Sequence, residues 1–397
     1  MKSSRSCGAA GSRILATVLL MAGAGSPGAL AQTTNGIAAT ASPGEINLRA
    51  REAIRRGLNW LKTVQKEKGS WSSDNYPALT ALPMWAFAWS DHPDRAAVCD
   101  KAAAFIAGFA QKDGGIYKRA TLGRFGGGLS TYNTAICMTA LTAYEPDKYA
   151  PIVLRAREYI ATNQLAGDSP GAGGFGYGKA PAPSSGLMSI FKGKGRADLS
   201  NTSWTLMAMR STEKVEAQRK EGERADIDWN AAVAFVERLQ IANAKNPDEN
   251  GGFAYTRGGS SDSKKGEAVA LSGFGSMTYA GLESLIYARV DRNDPRVRSA
   301  VEWAGRHWSV DENPCMGTRG LFYYYNVMSK ALSLTGMETL RDASGADIPW
   351  KKQLVEKLVA VQQPDGRWIN ANGQYWEGDA ALVTAYTVLA LEYALGK

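Results

Sequence analysis

The 397-residue sequence has only four cysteines and two histidines. Cys7 lies near the start, and Cys99, Cys137 and Cys315 are an odd set at wide spacing. Neither a disulfide framework nor a zinc ribbon fits that pattern. Cys137 sits in an apolar stretch and reads as a core thiol. Neither sign of charge dominates strongly, with 46 Lys and Arg against 38 Asp and Glu. No basic block is interleaved with aromatics, which excludes nucleic acid as an expected partner, although the mild positive balance suits an anionic surface. After residue 24 no apolar run is long enough to cross a bilayer.

The first residues have a processing pattern. Lys2, Arg5 and Arg13 surround the start of an apolar run over 14–24, and Ala29-Leu30-Ala31 stands before Gln32. This is the layout of a secretory signal with an A-x-A cleavage site, so 1–31 is expected to be a signal peptide cleaved near Ala31. The chain is then exported, to the periplasm or beyond. Residues 32–48, rich in Ser, Thr, Ala and Gly, are expected to form a disordered leader. Residues 49–397 are expected to form one domain, long enough for a large core.

Within that domain one unit recurs. Its clearest copy covers 350–397, where Leu354, Val355, Leu358 and Val359 recur at three-and-four spacing among Lys351, Lys352, Glu356 and Lys357, predicting a half-wet helix. Pro364 and Asp365-Gly366 stop it. The following segment, 379–394, is apolar on every side and predicts an inner helix. The local rule is an apolar pair, then Gln, Gly and an aromatic. Trp60-Leu61 leads to Gln65, Gly69 and Trp71, and Leu358-Val359 leads to Gln363, Gly366 and Trp368. Looser copies follow Phe105-Ile106, Tyr159-Ile160, Phe235-Val236 and Trp303-Ala304, the last with Trp308 in place of Gln. Apolar helices are expected after each turn, at 78–89, 131–144, 199–209, 277–288, 323–334 and 379–394. Such a unit cannot bury itself alone. Six of them, with regular copies at both ends, predict an all-α closed double ring with amphipathic helices outside and buried ones inside. Insertions at 180–196 and 256–273 leave from the turn ends, where a rim or lid and plain surface loops are both open readings.

The Gln…Gly-x-Trp elements, Gln65…Gly69-Ser70-Trp71 and Gln363…Gly366-Arg367-Trp368, resemble the QW repeat of squalene-hopene and oxidosqualene cyclases and the repeat of protein prenyltransferase β subunits. The tail Trp376-Glu377-Gly378-Asp379 looks like the exported bacterial squalene-cyclase-like branch. The resemblance covers nearly all of 50–395. It implies an (α/α)6 toroid of six helical hairpins, with a central cavity that in the cyclases holds a polyprenyl chain. The chain also departs from the family. It has no D-x-D-D acid, the nearest sequence being Asp226-Ile227-Asp228-Trp229 at the start of an outer helix. Of the zinc set of the prenyltransferases there is only His307 with Asp311 and Cys315 around Pro314, so no metal or other cofactor is expected. The Cys-Gly-Glu-Gln thioester of complement-type toroids is absent too.

In such a ring the starts of the inner helices line one end of the cavity, where polar groups meet the positive ends of helix dipoles. The candidate catalytic residues are Asp379, Asp198 and Glu377, although Asp198 and Asp379 also stand where helix N-caps belong. The candidate ligand-binding residues are Tyr76, Tyr132, Asn133, Asn201, Tyr279, Tyr324, Tyr325 and Trp376. This aromatic set suits an apolar ligand or carbocation, and sugar stacking as well. The expected function is that of an exported terpene-cyclase- or prenyltransferase-like repeat protein binding an apolar polyprenyl or triterpenoid ligand, with isomerisation or cyclisation as the associated chemistry. A segment such as Leu187 to Arg196 would supply peripheral membrane contact. The alternatives are a carbohydrate-active α/α-barrel enzyme, a glycosidase or lyase with paired carboxylates, and a non-catalytic binding scaffold.

Overall fold

The computed structural model describes residues 42–119, 128–178, 197–257 and 272–397. The expected signal peptide, most of the leader, the whole 180–196 insertion and all but the edges of the 256–273 insertion lie outside the described residues. The first helix, α1 (Pro43–Thr63), starts inside the expected leader. Ser42 caps it by accepting from the Glu45 N–H, Pro43 occupies the first turn, and Ile46, Ala50, Ala53, Ile54, Leu58 and Leu61 form its buried stripe. Composition alone hid this Ser-x-x-Glu start, which opens a helix.

Half-exposed and buried helices alternate from there. The outer set is α1, α3 (Arg95–Ala107), α5 (Pro146–Ala161), α8 (Trp229–Glu237), α10 (Pro295–Arg306) and α12 (Trp350–Ala360). The inner set is α2 (Ala78–Trp89), α4 (Ser130–Tyr144), α6 (Leu199–Ser211), α9 (Gly275–Tyr287), α11 (Leu321–Thr335) and α13 (Ala380–Ala394). In α2 every residue from Ala78 to Ala88 is buried, and in α13 every residue from Ala381 to Ala394. Each inner helix packs on the next, from α2 through α4, α6, α9 and α11 to α13, and α13 packs back on α2. The outer ring closes in the same way, α12 against α1. Because an outer helix intervenes each time, the inner helices run parallel and share one N-terminal end. Two minor elements complete the described chain. The short helix α7 (Glu213–Glu216) precedes α8, and a two-stranded hairpin, β1 (Leu340–Arg341) with β2 (Asp347–Ile348), joins α11 to α12.

In four of the six turns a glutamine amide clamps one unit to the next, whereas Gln111 of the second bonds within its own turn, to Phe109 O and Tyr117 O. The Gln65 side-chain amide donates to the carbonyls of Gly69 (3.1 Å) and of Val98 in α3 (3.0 Å). Gln164 and Gln240 repeat this toward Asp228 and Arg296. In the last unit the clamp is Gln362, not the expected Gln363: its amide reaches Gly366 O (2.8 Å) and Ala53 O of α1 (2.9 Å). Gln65 and Gln362 each stand four residues before their glycine, and Gln363 only three. Gly366 has φ +96°, and a Cβ there would lie 2.4 Å from the Arg56 carbonyl, so only glycine lets the last turn approach the first unit. The indoles of Trp71 and Trp368 are fully buried and donate to Leu61 O and Leu358 O, closing each turn onto its own outer helix. A threonine in the following inner helix accepts the aromatic's backbone N–H in four units, at Thr80, Thr202, Thr278 and Thr384, and Thr134 accepts that of Ile116 in the second. In the fifth, Trp308 replaces Gln, and its indole donates to Gln353 of α12 instead (2.7 Å).

Candidate functional site

The parallel inner helices direct their unsatisfied first N–H groups to one end of the ring, the mouth. Each is answered by the following unit. Ala78 N donates to the Asn133 side chain, Thr131 N to Tyr177 O, Leu199 N to Tyr255 O, Gly275 N to Pro314 O and Tyr323 N to the Glu377 carboxylate. The last inner helix is capped by Asp379, which accepts from Ala381 N (3.0 Å) and Leu382 N (3.2 Å). The mouth is thus a closed ring of caps.

Inside it lies a cluster of hydroxyls contributed by four inner helices. Ser200 Oγ is 3.1 Å from the Tyr323 hydroxyl, the Tyr132 hydroxyl lies near both Ser200 and Tyr386, and the Tyr323 and Tyr386 rings meet at 5.9 Å. Tyr132, Tyr287 and Tyr323 keep free surface, yet desolvation pushes their hydroxyl pKa values well up.

Asp198 sits beside this cluster, 4% exposed. One of its oxygens accepts from Asn201 N (2.9 Å) and the other from the Asn201 side-chain amide (2.8 Å). Burial raises its pKa to about 6, against the lowering effect of those bonds and of the Tyr255 hydroxyl. Tyr255 in turn meets the Tyr177 hydroxyl at 2.5 Å.

Further along the inner helices, as far as Trp89 and Tyr393 near the C-terminal ends of α2 and α13, the interior is aromatic with one ion pair. Trp89 contacts Tyr393 (5.1 Å between ring centres) and Trp85 (5.0 Å), Trp85 contacts Trp204 (6.4 Å), and Trp204 contacts Tyr132 (6.0 Å). Lys330 of α11 stands 3.2 Å from Glu283 of α9, 1% and 0% exposed as side chains. The Ser203 hydroxyl donates to the other Glu283 oxygen, and the ammonium lies 4.3 Å from the Trp204 ring centre, a cation–π contact. Desolvation raises the pKa of Glu283 and lowers that of Lys330, each opposed by the other's charge. Among the described residues no group of His, Cys, Asp or Glu is placed to hold a metal ion.

The structure sorts the residues nominated from sequence. Tyr132 and Asp198 face the cluster, with Asn201 as the partner of Asp198. Tyr76 and Trp376 pack edge-to-face at 5.1 Å on the rim. Trp376 is 50% exposed, and both it and Tyr375 have positive φ. Asn133 ties α2 to the start of α4 and has no lumen role. Glu377 is fully buried as the cap of α11, its second oxygen taken by the Asn370 amide (2.6 Å), and burial raises its pKa. With Asp379 also a cap and Asp198 the N-cap of α6, all three nominated acids are bound up in helix ends. Tyr324 and Tyr325 point away from the lumen, donating to Ser309 O (2.7 Å) and Val310 O (2.6 Å), and Tyr279 packs on Tyr324 (5.8 Å). Of the three consecutive tyrosines it is Tyr323 that faces inward, since successive helical residues point about 100° apart. The Glu283–Lys330 pair was missed; a lone acid in one apolar inner helix and a lone base in the next is the signal that marks it.

No family model matches the sequence, and no curated protein matches it. Solved structures do share its architecture. The type II terpene cyclase MstE from Scytonema aligns with a TM-score of 0.55 at 12% identity, over 87% of this chain and 98% of that one. A GH76 α-mannanase from Bacteroides thetaiotaomicron aligns with a TM-score of 0.57 at 8% identity, over 88% and 98%. The fold is an α/α toroid. At these identities the likeness carries the toroid fold and nothing about ligand or chemistry.

Proposed function

We propose that this toroid is an exported protein that encloses an apolar, isoprenoid-type ligand in its lumen. What supports this reading is the aromatic interior of the ring: Tyr132, Tyr323 and Tyr386 near the mouth, and Trp85, Trp89, Trp204 and Tyr393 in mutual contact further along the inner helices. Such a surface gains roughly 25 cal/mol per Å² of apolar area it covers. One MstE structure, aligning with a TM-score of 0.53, holds geranylgeranyl dihydroxybenzoate as its substrate, so a ring of this kind can hold a prenyl chain. The exposed rim residues Tyr177, Tyr375 and Trp376 suit collection of a ligand from a lipid interface, where amphipathic aromatics gather.

Binding is the core of the proposal, and cyclisation is not. Protonating an alkene asks for a strong acid, whereas Asp198 is weakened to about 6 and Glu283 faces a lysine. A glycosidase needs two carboxylates free to flank a glycosidic bond. Here Glu377, Asp379 and Asp198 hold helix ends and Glu283 is ion-paired, so none of these four is free for that role. The test is a melting-temperature screen of the purified chain with C20 to C55 polyprenols and, in parallel, with manno-oligosaccharides. A rise with the polyprenols alone supports the proposal. A rise with the sugars alone replaces it with the glycan reading, and no rise with either favours a scaffold.

A further inference from the structure

The end of the ring opposite the mouth holds a cavity of about 280 Å³, between α1 and the C-terminal ends of α2 and α13. Ile54 and Leu58 of α1, Pro93 in the turn after α2 and Leu395 just past α13 give it an apolar wall. Glu392 of α13 lines it too. That residue is only 6% exposed, and its side chain makes no hydrogen bond or ion pair among the described residues, so its carboxylate is left to the cavity. Holding a carboxylate so deep without a partner is costly, because buried charges in folded chains are otherwise paired. Burial raises its pKa to about 7, against the charges of Lys397 and Arg51 and with that of Asp91.

The neighbouring groups narrow the choice of partner. Asp91 stands at the exposed edge of the cavity, a second carboxylate with no hydrogen bond or ion pair among the described residues. Arg55 is occupied by Glu52, to which it donates through Nε and Nη2 (2.8 and 2.6 Å), and the exposed Arg51 bonds to neither acid of the cavity. His92 has spent both ring nitrogens: Nδ1 accepts from Asp94 N (3.1 Å), and Nε2 lies 3.0 Å from Asn59 Oδ1. It is therefore neutral and offers neither a counter-charge nor a metal ligand. The C-terminal end of α13 adds negative potential. An anion entering here would meet the Glu392 carboxylate in an apolar surround, which is strongly unfavourable. The volume is at the small end for ligand sites. From this we infer that the cavity binds a small organic cation: a protonated primary amine on a short apolar stem, its ammonium on Glu392 with Asp91 adding attraction from the edge, its stem against Ile54, Leu58 and Leu395. The site is separate from the lumen and independent of what the lumen holds.

The test is a calorimetric titration of the full chain with three probes of one chain length: n-hexylamine, 1-hexanol and hexanoate. The amine is expected to bind at least about tenfold tighter than the other two. Its affinity is expected to rise between about pH 6 and about pH 8, as Glu392 gives up its proton and gains the charge that the ammonium pairs with. Glu392→Gln keeps the shape of the side chain and is expected to cancel both the preference and the pH dependence. Should that variant fold poorly, Asp91→Asn at the exposed edge reads the same attraction, with the amine weakened a few-fold and hexanol unchanged. Equal affinity for amine and alcohol, tightest binding of hexanoate, no binding of the amine, or a preference that survives in Glu392→Gln overturns the inference. None of these outcomes touches the luminal reading, which the polyprenol screen tests by itself.

Discussion

The seam between the last and first units depends on one glutamine, and its sequence neighbour serves as the control. The Gln362 amide spans from Gly366 O (2.8 Å) to Ala53 O (2.9 Å), whereas Gln363 reaches only Val361 O, two residues back, at 3.3 Å. Gln362→Leu removes two hydrogen bonds and leaves two carbonyls of a partly buried seam unanswered. At about 1 to 1.5 kcal/mol for each, the loss is about 2–3 kcal/mol. For a domain of this size, at roughly 2.1 cal/mol/K of unfolding entropy per residue, that lowers the melting temperature by roughly 3–4 °C. Gln363→Leu leaves the backbone bond from Gln363 N to Arg367 O intact (2.9 Å) and is expected to cost less than about 1 kcal/mol. Scanning calorimetry of both variants beside the parent decides the matter. Equal losses in the two, or a larger loss in Gln363→Leu, would refute the assignment of the clamp and with it the account of ring closure.

Other expectations follow from the buried groups. Asp198 titrates near 6 in the folded chain against an ordinary 3.8, so the native state holds its proton more tightly than the unfolded one. This contribution is present in full below about pH 4 and lost as pH rises through 6, at most about 3 kcal/mol; denaturation of Asp198→Asn across pH 4–7 should show a flatter profile, and an unchanged one would discredit the burial argument. Lys330→Met leaves Glu283 buried and alone and should destabilise by about 3–5 kcal/mol, while Glu283→Leu combined with Lys330→Met recovers most of it; additive losses in urea titrations would contradict the pairing. Cys99, its thiol pushed up to about 12, and Cys137, raised well above the usual range, are both fully buried. Peptide mapping after treatment with a thiol reagent should find neither labelled in the native chain and both labelled after unfolding.

The hairpin repeat was legible because it is written in local chemistry. Half-wet and wholly apolar segments alternate, and glycine punctuates each pair. The register of the last clamp was not, since Gln362-Gln363 offers two amides and only the four-residue spacing shared by Gln65 and Gly69 tells them apart. The start of α1 was overlooked because the composition of 32–48 outweighed Ser42 and Glu45. At the site, caps were recognisable as a type, as Asp198 and Asp379 show, but the cross-unit capping by Glu377 and Asn133 depends on contacts between distant segments. In Tyr323-Tyr324-Tyr325 hydropathy cannot say which ring faces inward, because that follows from the rotation of α11 against its neighbours. The Glu283–Lys330 pair is a long-range event between adjacent inner helices, and no local pattern encodes it.

The central claim is that the ring binds an apolar isoprenoid-type ligand in its interior. Native mass spectrometry tests it most directly, on the full chain produced in an isoprenoid-making host and purified without detergent. The account predicts a fraction of the protein carrying one adduct whose released mass is that of a prenyl lipid. Only ligand-free protein, before and after incubation with geranylgeraniol, would contradict it.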